Sequence, residues 1–399
     1  MSRAEDYKAF PKLVATPKQA RSFRIEDSKY NLITTLTRKA PARMPRRVLV
    51  TGANGFIAQH ILDQFLAAGH SVRAVVRSES SASKVRKTFA SYIASSQLDV
   101  ALVPDMTAPG AFDVALASDP PFDTVLHTAS PFDFRKGNSS ADFLDPAVRG
   151  TTEIFHGVRR VAPAVKRVVV TSSIAAMIDI FRPPVSDPPK IYGDRDWLEV
   201  SRRDAETSGN PHLPYVASKA LAEKAAWAFV EEEKPAFDLV TINPPIVYGP
   251  LLDASALGSP RDLNQSNYML YETFFAPGLT EASPVPSEFL HLYVDVRDLA
   301  RAHLLAATKP AAGGHRFVVC PGGVSNQKIA NLVRERLPEL QGRIPKGDPT
   351  ATALPEGIYG ADGSLAEKLL GLEYTKLEDT FGDLVAQIVE LEKRAEKAP

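Results

Sequence analysis

The sequence predicts an α/β fold, a doubly wound parallel sheet with a smaller C-terminal lobe. Three observations predict it. Short aliphatic runs alternate with segments of helical period from residue 45 onward. Those runs are apolar at nearly every position, as strands buried on both faces must be. The first run leads into a glycine-containing turn and then directly into a helix. Such alternation selects a parallel sheet, because parallel neighbours need a crossover connection.

Each element follows in order. Residues 48–50 are the first strand, ending at Thr51-Gly52. Ile57, Ile61, Leu62, Phe65 and Leu66 recur at helical spacing, and Gly69 stops that helix. Residues 72–76, 100–103 and 124–127 are the next three strands. Residues 146–160 are helical, with Val148, Ile154, Phe155 and Val158 on one side. A fifth strand spans 167–171, and a helix without glycine or proline spans 215–232. A sixth strand, 239–242, is stopped by Asn243-Pro244-Pro245. Residues 249–290 are rich in Pro, Gly, Ser and aromatics, as a loop-rich substrate lobe would be. A capped helix over 295–308 and a strand over 316–319 follow. Leu377, Phe381, Leu384, Val385, Ile388 and Leu391 then give a last amphipathic helix. No internal repeat is present.

Bulk properties exclude several classes. The chain has 399 residues, 44% hydrophobic and 24% charged, with 47 basic against 47 acidic side chains. A balanced charge without a basic stripe argues against nucleic-acid binding. The single cysteine, Cys320, permits no intrachain disulfide and fits a reducing compartment, so a cytoplasmic location is expected. No apolar run is long enough to span a membrane. Residues 1–44 hold ten Lys or Arg and four Asp or Glu, without sustained periodicity. They lack the apolar centre of a signal peptide, and Glu5, Asp6, Glu26 and Asp27 argue against a mitochondrial transit segment. They are expected to be a disordered extension with no part in catalysis.

Residues 50–58 read Val-Thr-Gly-Ala-Asn-Gly-Phe-Ile-Ala. Gly52 permits the tight turn off the strand, Gly55 lets the backbone approach a diphosphate, and Ala58 lets the helix pack close to the sheet. The helix N-terminus then presents free N–H groups and a positive dipole end to the phosphates. An NAD site usually has a carboxylate at the end of the second strand. This chain has Val75-Val76-Arg77-Ser78 there. Arg77 is therefore the expected ligand of a 2′-phosphate, which its planar, always charged fork can grip. Ser78 is a candidate helper, and Arg73 and Lys84 are expected to add to the positive field. Asp105, past the third strand, could meet an adenine ring, although turn and capping roles suit Asp equally well.

Residues 214–220 read Pro-Tyr-Val-Ala-Ser-Lys-Ala at the start of the long helix. Tyr215 and Lys219 lie four apart on one helical face. An ammonium beside a phenol is expected to lower its pKa toward the working range. The fifth strand ends in Thr171-Ser172-Ser173, at the edge where such sheets bind ligands. The Ser173 hydroxyl could there polarise a substrate carbonyl beside the tyrosine.

With these residues in hand, the sequence resembles the extended short-chain dehydrogenases/reductases, and among them the dihydroflavonol-reductase-like and fungal aldehyde and ketone reductases. Further stretches carry the resemblance: His127-Thr128-Ala129-Ser130-Pro131-Phe132, Pro146-Ala147-Val148-Arg149-Gly150-Thr151, Asn243-Pro244-Pro245-Ile246-Val247-Tyr248-Gly249-Pro250 and Tyr293-Val294-Asp295-Val296-Arg297-Asp298. They follow the family's order and cover about residues 46–390. The resemblance implies a Rossmann core over residues 45–245, also receiving 288–319, and a substrate-binding lobe over 246–399. It implies NADPH and hydride transfer to an aldehyde or ketone. It assigns Ser173, Tyr215 and Lys219 to catalysis, and Gly52, Gly55, Phe56 and Ile57 to the diphosphate. Arg77 falls to the 2′-phosphate, Ala129 to the ribose and nicotinamide side, and Pro244 and Val247 to the nicotinamide. Phe132 and Phe134 fall where members place substrate-facing residues. Two features depart from the pattern. Ala58 stands where many members have a third glycine, and the second basic residue near Arg77 is displaced to Lys84.

The segment between Ser173 and Tyr215, with Pro183-Pro184 and Pro188-Pro189, reads as a lid or substrate loop. Tyr268, Tyr271, Phe274 and Phe275 would either wall an apolar pocket or fill the lobe's core. The histidines show no metal-ligand spacing, and His127, in a strand, reads as a core residue. The expected partner is a small hydrophobic carbonyl compound, such as a polyketide or other secondary-metabolite intermediate. A monomer or weak homo-oligomer is expected. Two alternatives stay open: a nucleotide-sugar epimerase or dehydratase, and a non-catalytic NADPH-binding regulator.

Overall fold

The computed structural model describes residues 45–130, 140–210, 212–287 and 290–397, and residues 45–399 form one compact unit. Strand β1 (Arg47–Thr51) leads through the glycine turn into α1 (Phe56–Ala67). Then come β2 (Ser71–Val76), α2 (Glu79–Thr88), the short α3 (Ala90–Ala94) and β3 (Leu98–Leu102). A single turn, α4 (Asp113–Leu116), precedes β4 (Thr124–His127) and α5 (Ser140–Val161). Next are β5 (Arg167–Thr171), β6 (Ile191–Tyr192), α6 (Arg202–Thr207) and α7 (Leu213–Glu233). Strands β7 (Asp238–Asn243) and β8 (Ile246–Tyr248), helix α8 (Gln265–Phe274), β9 (Leu292–Asp295) and α9 (Val296–Thr308) follow. The chain ends with β10 (Arg316–Val318), β11 (Gly322–Gly323), α10 (Asn326–Arg336), β12 (Gly360–Ala361) and α11 (Leu377–Lys397).

Seven of these strands form one sheet in the order β10-β7-β5-β4-β1-β2-β3, and every pairing in it is parallel. The chain builds outward from β1 to β3 on one side and from β4 to β10 on the other. The order therefore reverses between β1 and β4, where the carboxyl ends diverge and a crevice opens. In register, Thr51 at the end of β1 pairs with His127 at the end of β4.

Both faces of the sheet are buried. Val48 and Val50 point to one side with Ile61, Leu62 and Phe65 of α1 and Leu299 and Ala306 of α9. Leu49 points to the other side with Ile154, Phe155 and Val158 of α5 and Phe229 of α7. This two-sided burial is why the strands read as continuous aliphatic runs. The strand expected over 100–103 lies two residues earlier, and as an edge strand it leaves Leu102 exposed. The helix expected to start at Pro146 starts six residues earlier, with the proline inside it.

A second apolar core joins Tyr248, Tyr293, α8, α10 and α11 through Leu270, Phe274, Val333, Phe381 and Leu384. It rests on a three-stranded sheet, β11-β9-β8, parallel between β8 and β9 and antiparallel between β9 and β11. The segment after Ser173 is tied down: β6 pairs with β12, and Val185 bridges Ile358. No helix among the described residues is long and apolar enough to cross a membrane.

His303 of α9 fastens the end of β5. It is fully buried, and its Nδ1–H donates to the Leu299 carbonyl at 2.7 Å, so Nε2 accepts from the Thr171 hydroxyl at 2.7 Å. Burial pushes the imidazole down to about 4 from its ordinary 6.5. The folded protein thus binds fewer protons than the unfolded chain between those values, and stability present above pH ~6.5 is lost as pH falls toward 4. His303→Asn should lower stability at pH 7 and make the acid-side loss shallower by up to about 1.4 kcal/mol per pH unit. Urea unfolding of both proteins from pH 7 to pH 4.5 checks this, and parallel curves would refute it.

Candidate active site

The turn after β1 is shaped by contact with β4. Gly52 has φ +65°, and a Cβ there would sit 2.9 Å from the Ala129 Cα and 3.0 Å from its nitrogen. Only glycine relieves both the left-handed backbone and the clash. The Gly55 N–H donates to the Gly52 carbonyl at 2.9 Å, closing the turn. Gly55 then starts α1 with extended backbone and no side-chain cap, so the first N–H groups of α1 lack an intrahelical partner. The side chains of Phe56 and Ile57 pack against the core, which leaves their main-chain N–H groups as what they can offer a ligand. Ala58 is buried against the sheet, as its small size allows.

A cleft of about 560 Å³ runs along this edge, within the usual size of small-molecule sites. Gly52, Asn54, Gly55, Arg77, Ala129, Ser130 and Phe143 are among its walls. Arg77 is exposed and has no hydrogen bond or ion pair with any described residue. The neighbouring groups differ. Arg73 pairs with Asp99 at 2.6 Å, and Ser78 caps α2 by accepting from the Ser81 N–H at 3.3 Å. Lys84 is exposed on α2. Asp105 makes the turn considered as the alternative to an adenine role. Its Oδ1 accepts from the Thr107 N–H and hydroxyl at 2.9 and 2.7 Å, which holds its carboxyl below the ordinary range. Its neighbours Pro104 and Met106 line the cleft, whereas Asp105 does not.

Behind the Ser130 and Phe143 walls lie Ser173, Tyr215 and Lys219, which reach those two residues through Lys219 and Tyr215 and do not themselves bound the cleft. The Ser173 hydroxyl stands close enough to Tyr215 to act on its ionisation, and the Phe143 ring meets the tyrosine edge-on at 5.9 Å. Ser173 Oγ accepts from the Ala175 N–H at 3.1 Å, which fixes the hydroxyl's position. Lys219 Nζ donates to Ser130 Oγ at 2.8 Å and lies 5.7 Å from the centre of the Tyr215 ring. The ammonium was expected to pull the tyrosine down. Burial prevails instead and pushes Tyr215 up to about 12, with the Ser173 hydroxyl acting the other way. The same burial pushes Lys219 down to about 8.

His127 sits beneath this group. Thr51 Oγ1 accepts the N–H groups of Thr128 and Ala129, both at 3.1 Å, so its own proton goes to His127 Nδ1 at 3.0 Å. The imidazole proton is then on Nε2, which is buried without a partner. Burial, aided by the nearby Lys219 charge, pushes His127 down to about 4 and keeps it neutral.

The remaining expected residues divide. Pro244 is buried and its carbonyl accepts from the Ile174 N–H at 2.9 Å, while Val247 is buried in the core beside α1 and α9. Neither bounds the cleft. Phe132 and Phe134 lie outside the described residues. Tyr271, Phe274 and Phe275 fill the core of the lobe, with Tyr268 packed against it. Sequence reasoning missed Thr51, Ser130 and Phe143 as site residues. The first two had a visible signal, a hydroxyl at or just past the carboxyl end of a central strand.

A parallel sheet with a glycine turn at its reversal point and a Ser-Tyr-Lys group at the same edge defines a dinucleotide-binding α/β protein of Rossmann type. The chain belongs to the NAD dependent epimerase/dehydratase family, whose profile matches residues 48–320, and within it to the extended short-chain dehydrogenases/reductases. It is 38% identical over 347 residues to ketoreductase azaE of Aspergillus niger, covering 87% of this chain and 98% of that protein. It is 34% identical over 352 residues to the NADPH-dependent methylglyoxal reductase GRE2 of Saccharomyces cerevisiae, covering 87% and 99%. Among solved structures, yeast methylglyoxal/isovaleraldehyde reductase Gre2 complexed with NADPH matches with a TM-score of 0.79 at 33% identity, covering 87% of this chain and 99% of that one.

Proposed function

We propose that this protein reduces an aldehyde or ketone to an alcohol with NADPH, on a small hydrophobic substrate. The observation that carries the reading is the grouping of Ser173, Tyr215 and Lys219, with Lys219 bonded to Ser130 in the wall of a cleft that Arg77, unpartnered among the described residues, also lines. The named activities of azaE and Gre2 support it. So does the absence of a carboxylate at the end of β2, which an NAD-preferring epimerase would usually carry.

The residues fit the cofactor. The Gly52 turn leaves no room for a Cβ, α1 offers free N–H groups for a diphosphate, and Arg77 suits a 2′-phosphate. When bound, NADPH supplies the hydride. The protein's part is to place the carbonyl and deliver a proton. Ser173 and Tyr215 would donate hydrogen bonds to the carbonyl oxygen as negative charge develops there. A phenol held near 12 is fully protonated at neutral pH, which is the state a proton donor needs. An alkoxide is far more basic than a phenolate, so transfer from Tyr215 still runs downhill. The Lys219 ammonium then offsets the charge left on the phenolate.

Tyr215→Phe should lower kcat by about 10²- to 10⁴-fold while NADPH affinity stays close to wild type. NADPH oxidation with isovaleraldehyde, methylglyoxal, aryl ketones and β-keto compounds is the assay, and undiminished turnover would sink the mechanism. Arg77→Ala removes one charge-assisted contact and should raise KM for NADPH roughly ten- to hundredfold, with little change for NADH. Equal effects on both cofactors would remove the 2′-phosphate role. Lys219, folded at about 8, loses its charge as pH rises through that value. kcat/KM for NADPH, which reports the free enzyme, should therefore fall with a midpoint near 8. A profile flat from pH 7 to pH 9 would contradict this.

A further inference from the structure

Helix α7 carries a third group on the face of Tyr215 and Lys219. Glu223 is four residues beyond Lys219 and eight beyond Tyr215, and its side chain is 0% exposed. A buried carboxylate is costly unless every lone pair is met. Here donors from four elements meet them. Oε1 accepts from Arg316 Nε of β10 at 2.7 Å, from the Thr241 hydroxyl of β7 at 2.8 Å and from the Trp227 indole of α7 at 3.4 Å. Oε2 accepts from the Ser172 hydroxyl at 2.6 Å and from Asn243 Nδ2 at 2.7 Å.

These donors lead to the reacting groups. Ser172 immediately precedes Ser173, and Asn243 Nδ2 also donates to the Ser173 carbonyl at 3.2 Å. The carboxylate thus holds the end of β5 from two directions while standing on the helix that carries Tyr215. Arg316 extends the hold to the segment between Ser173 and Tyr215. Its Nη1 donates to the Asp194 and Asp196 carbonyls, both at 2.7 Å, and its guanidinium lies 3.6 Å from the centre of the Trp197 ring.

We infer that the buried Glu223–Arg316 pair is a positioning device for the reaction, setting Ser173 against Tyr215 and fixing the 194–197 turn against α7 near Lys224. Packing alone does not require it, since buried ion pairs can often be exchanged for apolar side chains of similar volume without loss of stability. What such an exchange would lose here is the shared anchor between strand and helix. A misplacement of about 1 Å at reacting groups can cost on the order of a hundredfold in rate.

This inference rests on the reductase reading above, and the test separates the two. Glu223→Gln and the double variant Glu223→Leu/Arg316→Met are compared with wild type and with Tyr215→Phe. The readouts are kcat and KM for NADPH, melting temperature, and the primary deuterium isotope effect on kcat with deuterated NADPH. The double variant leaves no unpaired buried charge, so it stays informative if the single variant does not fold. We expect kcat to fall about ten- to a hundredfold, KM for NADPH to stay within threefold, and the isotope effect to rise as hydride transfer becomes rate-limiting. A loss of folded protein alone would lower kcat per total protein without changing the isotope effect, and that result overturns the inference. So does a double variant with wild-type kcat and isotope effect. A fully active Tyr215→Phe would instead overturn the reductase reading itself.

Discussion

The reversal of strand order between β1 and β4 is the constraint on which the rest depends. In an all-parallel sheet every carboxyl end lies on one edge, so loops and helix starts gather there. At the reversal the crossovers leave in opposite directions and do not cover the crevice between them. Thr51 and His127, paired across it, sit at its floor. The glycine turn, the Ala129–Ser130 step and the end of β5 are then neighbours by topology alone. A Cβ on Gly52 would come within 2.9 Å of the Ala129 Cα, which shows how closely the two sides of the reversal meet.

Burial, more than pairwise charge, sets the electrostatics of this edge. Tyr215 moves up and Lys219, His127 and His303 move down, in each case with desolvation as the leading cause. The direction matters for chemistry. A raised tyrosine holds its proton, and a lowered lysine changes charge near neutral pH. The neutral His127 below adds no competing positive charge to the lysine. At neutral pH the site thus holds a neutral Tyr215 and a neutral His127 around a single ammonium, Lys219.

The strands, the glycine turn and the Tyr215–Lys219 pair were legible because each rests on local spacing: continuous aliphatic runs, a turn between strand and helix, four residues on one helical face. Ser173 was legible from strand direction, since a residue after a parallel strand falls at the ligand edge. What was not legible depends on pairing between distant segments. The β6–β12 ladder joins residues 191–192 to 360–361, and two-residue strands leave no periodic trace. That ladder makes the segment after Ser173 a fastened part of the fold at Val185 and residues 190–192, where proline content alone suggested a lid. The lobe aromatics could not be assigned for a similar reason. Tyr271, Phe274 and Phe275 are spaced to share one side of α8, but only α10 and α11 decide whether that side meets core or cleft. Asp105 shows the limit for a lone polar residue, because the sequence suits equally a ligand contact and the turn with Thr107 that its Oδ1 makes.

Arg77 is distinguished by comparison with its neighbours. Arg47 and Arg73 both reach Asp99 at 2.6 Å, and both guanidinium groups lie over the Phe122 ring, at 5.3 and 5.4 Å. Those two cations stabilise the amino-end side of β1 and β2, where their charge is already answered. Arg77 leaves the carboxyl end of β2 with no such answer among the described residues. A free guanidinium at a surface is ordinary, but this one lines a cleft beside free helix N–H groups, in walls that also hold Asp142. Ser78 does not answer its charge, since its hydroxyl is held by α2. Glu79, the nearest carboxylate along the chain, is turned to Arg86. Glu79 thus answers Arg86 and not Arg77, and the Arg77 charge stays available to an anion.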